Sequence, residues 1–406
     1  MNQGSDCMNV LLLGNGFDLY HKLPTRYINF LNTVNFIENN KLYEAKTVGE
    51  IFGNSILLEC DKDISISYEQ YKDLYDACDI DTDSINKLVR LANKNIWFSY
   101  FTESFNKDIG WIDFENEISV VINCFQELFY DKSDTVNFTS KTKTFTHIIK
   151  KFGFFIDDTP GNRPFSLNSK YVKDEFLIEY PLGSNDKKLN IDKVRDFLLE
   201  ELIELADGLN LYLSCFIENI LKSINKTNEH LSWKDAFSYV SYVITFNYTN
   251  TCEKLYHTKS VFHLHGNVND SIVLGVNPDS FDDIETVDTA FITFKKYFQR
   301  IINKTDNEYL NWLRDMKETH QDITLFVIGH SLDITDKDIL TELFWAVDRI
   351  FILNYNKKDE IQHLSNLVKI LGKESFDQLR AEKELTFLPI QYDFTNIMIE
   401  NADLYI

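Results

Sequence analysis

Four short segments hold residue types and spacings that suit chemistry. The first is GNGFDLYHKLPTRY, Gly14 to Tyr27. Two glycines one residue apart let the backbone turn tightly and come close to a phosphate. A helix starting there would aim its N–H groups and positive dipole end at that anion. The third glycine of the dinucleotide fingerprint is absent, so the same letters also fit a plain structural turn. The second segment is ITFNYTNT, with Asn247 just past an apolar run. An amide there either faces a ligand or caps a turn. The third is HLHG, residues 263–266, which places His263 and His265 on one side of a strand and Leu264 on the other. No third ligand stands beside them, so no metal is expected. His265 suits a general base at neutral pH. The fourth is VIGHSLD, residues 327–333, which resembles a nucleophile elbow around Ser331 except that Asp333 replaces the second glycine. Asp336, Asp338 or Asp348, followed by His363, would complete a triad in the right chain order. A serine hydrolase using Ser331 is therefore an alternative.

These segments share a setting. Asn9–Leu13, Ser241–Phe246, Val261–His265, Ile323–Ile328 and Arg349–Leu353 are short, mostly apolar runs that end in small or polar residues. Such runs are strands covered on both faces, as in a parallel sheet, and open α/β sheets bind ligands at the carboxyl ends of their strands. Between the first two strands the texture changes. Residues 111–130 and 194–224 repeat apolar residues every three or four positions and predict amphipathic helices. Residues 152–190 predict an irregular connection, and 278–320 a polar helical interruption. The core is thus assembled from the two ends of the chain around a helical insertion.

Composition narrows the function classes. The 406 residues carry 41 Lys and Arg against 63 Asp and Glu, a formal net charge of −22. That balance repels nucleic-acid backbones and anionic lipid, so neither is an expected partner. It leaves room for a small anionic ligand in a local pocket. Six scattered cysteines without a Cys-x-x-Cys fit reduced thiols and no Cys-rich zinc module. No basic leader precedes the first apolar run, and no stretch approaches the ~20 apolar residues of a membrane span. A cytoplasmic protein is expected.

In order and in strand-end placement, GNG…LPTRY, TFN, HLHG, GHSL and ILN resemble the motif series of sirtuins. Together with Trp111, Asp113 and Glu115 in a WxDxE pattern, they resemble the AbiH family of bacterial abortive-infection proteins within that superfamily. The resemblance covers roughly residues 9–31, 111–117 and 241–356. It implies a Rossmann-like parallel sheet forming a sirtuin-like core over 1–40 and 236–406, with a helical insertion over 41–235.

The resemblance also implies residue roles around NAD. Gly14, Asn15 and Gly16 would lie under the pyrophosphate, and Pro24 and Thr25 would shape the loop over the nicotinamide ribose. Thr245 belongs to the Thr-x-Asn motif, whose Asn247 would face the ribose and its reacting C1′. His265 would act on the ribose hydroxyls. Gly329 and Ser331 would contact phosphate or ribose, and Asn354 the adenosine ribose. Asp113 and Glu115 are candidates for facing the cleft, although on a helix start they also fit solvated charges.

Three departures bear on the activity. The zinc cysteines of sirtuin deacylases are absent. Thr249 replaces the Asp that helps hold nicotinamide, and Asp18, at a Ser-like position in the first loop, is its candidate substitute. Tyr27 stands where sirtuins carry an Arg, with Arg26 one place early. Protein deacylation is therefore not expected. The expected activity is hydrolysis of NAD to nicotinamide and ADP-ribose in anti-phage defence, with NAD as substrate, no required cofactor, a phage-derived trigger and a homo-oligomer among the possible partners. The main alternative is a non-catalytic NAD or nucleotide sensor acting through partners.

Overall fold

The computed structural model describes residues 8–105, 114–130, 135–136, 143–152, 154, 165–166, 172–179, 187–224, 233–268, 270–276, 290–305, 307–319 and 322–403. The chain forms two compact units. One comprises Met1–Val89, Asp207–Val273 and Arg300–Ile406, and the other Arg90–Ala206 and Leu274–Gln299. The packing thus cuts the chain at other points than the expected 40 and 235. Residues 41–89 belong with the sheet, and 274–299 do not.

The first unit is organised by six strands: β1 (Met8–Leu13), β2 (Tyr242–Thr245), β3 (Val261–His263), β4 (Ile323–Ile328), β5 (Arg349–Asn354) and β6 (Glu384–Pro389). All neighbouring pairs are parallel, in the spatial order β3-β2-β1-β4-β5-β6. This is the doubly wound order of dinucleotide-binding sheets. It reverses direction between β1 and β4, and crevices open at the carboxyl ends of such a pair. The first five strands are the five apolar runs of the sequence. β6 escaped notice because it is an edge strand, only partly covered, and its ELTFLP lacks a continuous apolar run.

Strand alternation builds the core. Val10, Leu12, Ile244, Leu325, Val327, Ile350 and Ile352 pack on one face against Leu340, Leu343, Phe344 and Leu367. Leu11, Leu13, Val243, Phe326, Ile328, Phe351 and Leu353 pack on the other with Phe17, Trp233 and Phe394. Each such fully buried aliphatic side chain contributes roughly 1.5–3 kcal/mol relative to exposure. A sheet buried on both faces is a stiff platform for the loops at its rim.

Helix α1 (Asn15–Tyr20) follows β1 directly and α2 (Tyr27–Asn39) follows the LPTR loop. Helix α3 (Thr251–Tyr256) follows β2, α4 (Lys337–Ala346) follows β4, and α5 (Lys357–Leu371) follows β5. The predicted helix over 194–224 is present as Ile191–Tyr212, a π-helical turn over Leu213–Glu218, and Asn219–Ile224.

The second unit carries the predicted helix of 111–130 as Phe114–Tyr130, its first three residues lying outside the described ones. Its aromatic residues are packing. Phe101 stacks on Phe114 at 4.1 Å, and the buried Trp97 indole donates to the Leu198 carbonyl at 2.9 Å.

Candidate functional site

The loops after β1, β2 and β4 meet at the carboxyl rim of the sheet, where its order reverses. Gly14 N–H donates to Ile328 O at 3.1 Å and Gly16 N–H to Gly329 O at 2.8 Å, tying the first loop to the fourth. The glycines make this approach possible. A Cβ on Gly14 would lie 2.5 Å from His330 Cα, and one on Gly16 2.7 Å from Gly329 Cα. Gly329 itself sits at φ +68°, with its Cβ direction 2.2 Å from the backbone nitrogen of Phe17. The first and fourth loops are therefore in direct backbone contact at these glycines. The Gly16 N–H is taken by the neighbouring loop, and the two glycines serve contact between loops.

Asn247 locks onto the same place. Its Nδ2 donates to Gly14 O at 3.0 Å, and its backbone N–H donates to the Thr245 hydroxyl at 3.1 Å. Thr245 is thus a turn residue, 3% exposed, that orients Asn247. His263 secures the turn from behind. Its Nδ1 donates to Asn247 O at 3.1 Å, while Nε2 pairs with Glu253 at 2.7 Å. Among the described residues no group of three or more His, Cys, Asp or Glu is placed to hold a metal.

Beside Asn247 lies Asp18, on α1 and 1% exposed. Its Oδ2 accepts a 2.6 Å bond from Thr249, while Oδ1 is buried without a hydrogen-bond partner among the described residues. Burial pushes its carboxyl up to about 7, and the nearby Glu218 adds to this. Thr249, Thr251 and Asn247 oppose it by hydrogen bonding. The Asp18 carboxylate thus lies directly beside Thr249.

Glu218, on the π-helical turn, was not read as a site residue. It is 6% exposed, accepts the Asn250 N–H at 2.6 Å, and has its own carboxyl raised by burial. A cavity of about 270 Å³ lined by Glu218, Lys222, Asn250 and Lys254 borders this loop. Nothing in the local letters marks Glu218, and only a π-helical interruption of a long helix distinguishes it.

A second polar group sits on the β3 and β4 side. His265, 3% exposed, places Nε2 3.4 Å from Asp336 Oδ1, and His330 Nε2 lies 3.6 Å from Asp336 Oδ2. The Phe246 ring abuts both imidazoles, at 5.0 and 4.4 Å between centroids. His330 is the histidine of the GHSL motif, directly before Ser331. Asn354 turns its Oδ1 to His363 Nδ1 at 2.5 Å, and burial lowers the His363 proton affinity.

The loop residues expected to cover a ribose also converge. Thr25 donates its hydroxyl to Asn15 Oδ1 at 2.5 Å, and Pro24 O accepts the Tyr212 hydroxyl at 2.7 Å. Tyr27 and Tyr248 bring their hydroxyls within 3.3 Å. Ser331 is exposed, and neither His363 nor Asp336 is bonded to its hydroxyl. The triad of a serine hydrolase is therefore not assembled around it. Asp113 lies outside the described residues. Glu115, in the first turn of its helix, pairs with the buried Lys296 at 2.6 Å in the second unit.

The fold and rim define an α/β protein with a parallel sheet in dinucleotide-binding order and a buried polar cluster at its switch point. The chain belongs to the AbiH family: the sequence profile described as bacteriophage abortive infection AbiH matches residues 10–353. No curated protein and no solved structure matches it. No described helix is long and apolar enough to cross a membrane.

Proposed function

We propose that this AbiH protein acts in phage abortive infection by hydrolysing NAD to nicotinamide and ADP-ribose at the rim of its sheet. The observation that carries this is the juxtaposition of Asp18, Asn247 and Gly14 at one switch point, with Asn247 bonded to the Gly14 carbonyl and facing the Asp18 carboxyl. His265 lies just past the neighbouring strand, at the edge of the Phe246 ring.

Breaking the C1′–N1 bond sends its electron pair to the nicotinamide nitrogen and leaves oxocarbenium character on C1′. Water then bonds to C1′ and gives up one proton, so water and NAD become nicotinamide, ADP-ribose and a proton. The protein's task is to hold the ribose, exclude bulk water and stabilise charge as it develops. Asn247 orients the ribose and the attacking water, while His265 receives the proton. Asp18, uncharged over part of the neutral range, can donate a hydrogen bond to the leaving carboxamide, as carboxyls in apolar sites do. Such a donor is expected where burial and a second carboxyl both disfavour ionisation.

The test is in cells. NAD measured through a phage infection should collapse in a strain carrying the wild-type protein and hold steady with Asn247→Ala. A protective wild type with unchanged NAD would contradict the proposal.

A further inference from the structure

Asn247 lies just past β2, outside any strand or helix, so the ladder of the sheet does not hold it. Three hydrogen bonds do. Its N–H donates to Thr245 Oγ1 at 3.1 Å and its Nδ2 to Gly14 O at 3.0 Å, while its carbonyl accepts from His263 Nδ1 at 3.1 Å. Among the described residues no hydrogen bond engages the amide oxygen Oδ1, which is the atom left to face a ligand. A backbone carbonyl can only accept, so the His263 ring carries a proton on Nδ1. Its Nε2 meets Glu253 Oε1 at 2.7 Å, a bond that holds a second proton between ring and acid. The His263 side chain is 8% exposed, which keeps bulk water from competing for these bonds. Glu253, on α3, makes this one side-chain hydrogen bond among the described residues, because its Oε2 is buried without a partner. An unbonded carboxyl oxygen out of water costs stability. The acid is therefore explained by the ring it holds.

We infer that Glu253 and His263 form a positioning pair for Asn247: the acid orients the ring, the ring fixes the Asn247 carbonyl, and the amide oxygen is thereby aimed at the ribose. This rests on the proposed role of Asn247. The two histidines of HLHG divide the work. His265 lies at the edge of the Phe246 ring, while His263 turns to the Asn247 backbone and to α3. Neither Glu253 nor His263 acts on the substrate, and both act through Asn247. A group that touches reacting atoms loses up to ~10²-fold in rate when displaced by about 1 Å. Supporting bonds that lock its backbone and rotamer prevent such displacement.

Two pairs of substitutions separate this role from plain structural support. His263→Asn keeps an N–H where Nδ1 stands, and His263→Leu removes it. Glu253→Gln keeps a hydrogen bond to Nε2, with its amide as donor, and Glu253→Leu removes it. Asn-Tyr occurs in the chain only at 247–248 and 354–355. Full-length protein labelled with carbon-13 at asparagine carbonyls and nitrogen-15 on tyrosine therefore gives one peptide signal for each, told apart with Tyr355→Phe. The Asn247 signal should move in both Leu variants and hold near its wild-type position in His263→Asn and Glu253→Gln. With NAD, kcat should fall about 10–100-fold in the Leu variants at a KM within about threefold of wild type, and return to within about fivefold in the conservative pair. An Asn247 signal unmoved in either Leu variant, or turnover lost equally in Leu and conservative variants, would overturn the inference. If His263→Leu does not fold, Glu253→Leu, at a side chain 27% exposed, decides. The carbonyl signal needs no NAD. A wild type that leaves NAD intact therefore defeats the proposed function, and the signal alone then decides whether the pair positions Asn247.

Discussion

Thr249 donates its hydroxyl to the carboxylate of Asp18 at 2.6 Å, across 231 positions of chain. In the sirtuin pattern the acid comes from the loop after the second strand. Here the loop supplies the hydroxyl and α1 supplies the acid. The two side chains meet at one point of the rim. What changes is the environment. Asp18 is itself buried, which makes its carboxyl hard to ionise, and the nearby Glu218 adds to that cost.

Asp18 should make stability depend on pH. Its folded carboxyl is raised from 3.8 to about 7, so between those values the folded state holds a proton that the unfolded state has released. Stability then falls as pH rises through that window, by an order of magnitude of a few kcal/mol in total. Asp18→Asn should flatten this slope and melt higher than wild type at pH 8, with the gap closing towards pH 4. Thermal melts of both proteins over pH 4 to 8.5 check it.

His21 acts with the opposite sign. Its Nδ1–H donates to Phe17 O and its Nε2 accepts from Tyr256, both at 2.8 Å, and burial lowers its proton affinity to about 4. The folded ring stays neutral where the unfolded one charges, so stability is lost as pH falls from 6.5 towards 4. In His21→Gln the acid-side loss in the same melts should shrink, at a cost of about 1 kcal/mol near pH 7 from weaker bonding.

Loop contact at the switch point leaves no space for a methyl group. Gly16→Ala and Gly329→Ala should each destabilise by roughly 1–3 kcal/mol or more, the second more strongly because its φ is +68° as well. Denaturant midpoints give the comparison. A neutral Gly329→Ala would mean that the two loops are not in contact in solution.

Ser331 should be dispensable as a nucleophile. Its hydroxyl is exposed and unsupported by His363, which is bonded to Asn354. A fluorophosphonate probe should leave it unlabelled, and Ser331→Ala should keep NAD turnover within about tenfold of wild type, as expected for loss of one ligand contact. Stoichiometric labelling at Ser331 would restore the hydrolase alternative.

Much of this was legible in the letters, for physical reasons. A strand buried on both faces must be almost wholly apolar, so β1 to β5 announced themselves, and their polar ends marked the rim. The edge strand β6, under no such demand, did not. Gly14, Gly16 and Asn247 lie at this rim, bonded to one another or to the loop after β4. However, a glycine pair reads alike whether a phosphate or another backbone fills the space beside it, and here Gly329 and His330 do. Glu218 acquires meaning only through its partner at Asn250, a distance in sequence that no local spacing encodes.

The central claim is that Asn247 and His265 act on the ribose of NAD. Purified protein is incubated with NAD, and nicotinamide and ADP-ribose are quantified in parallel for wild type, Asn247→Ala and His265→Ala. Equal amounts of the two products are predicted from wild type, with each substitution lowering the rate by about 10²–10⁴-fold. Equal turnover by all three proteins, or no products from a wild type that protects cells from phage, would contradict it.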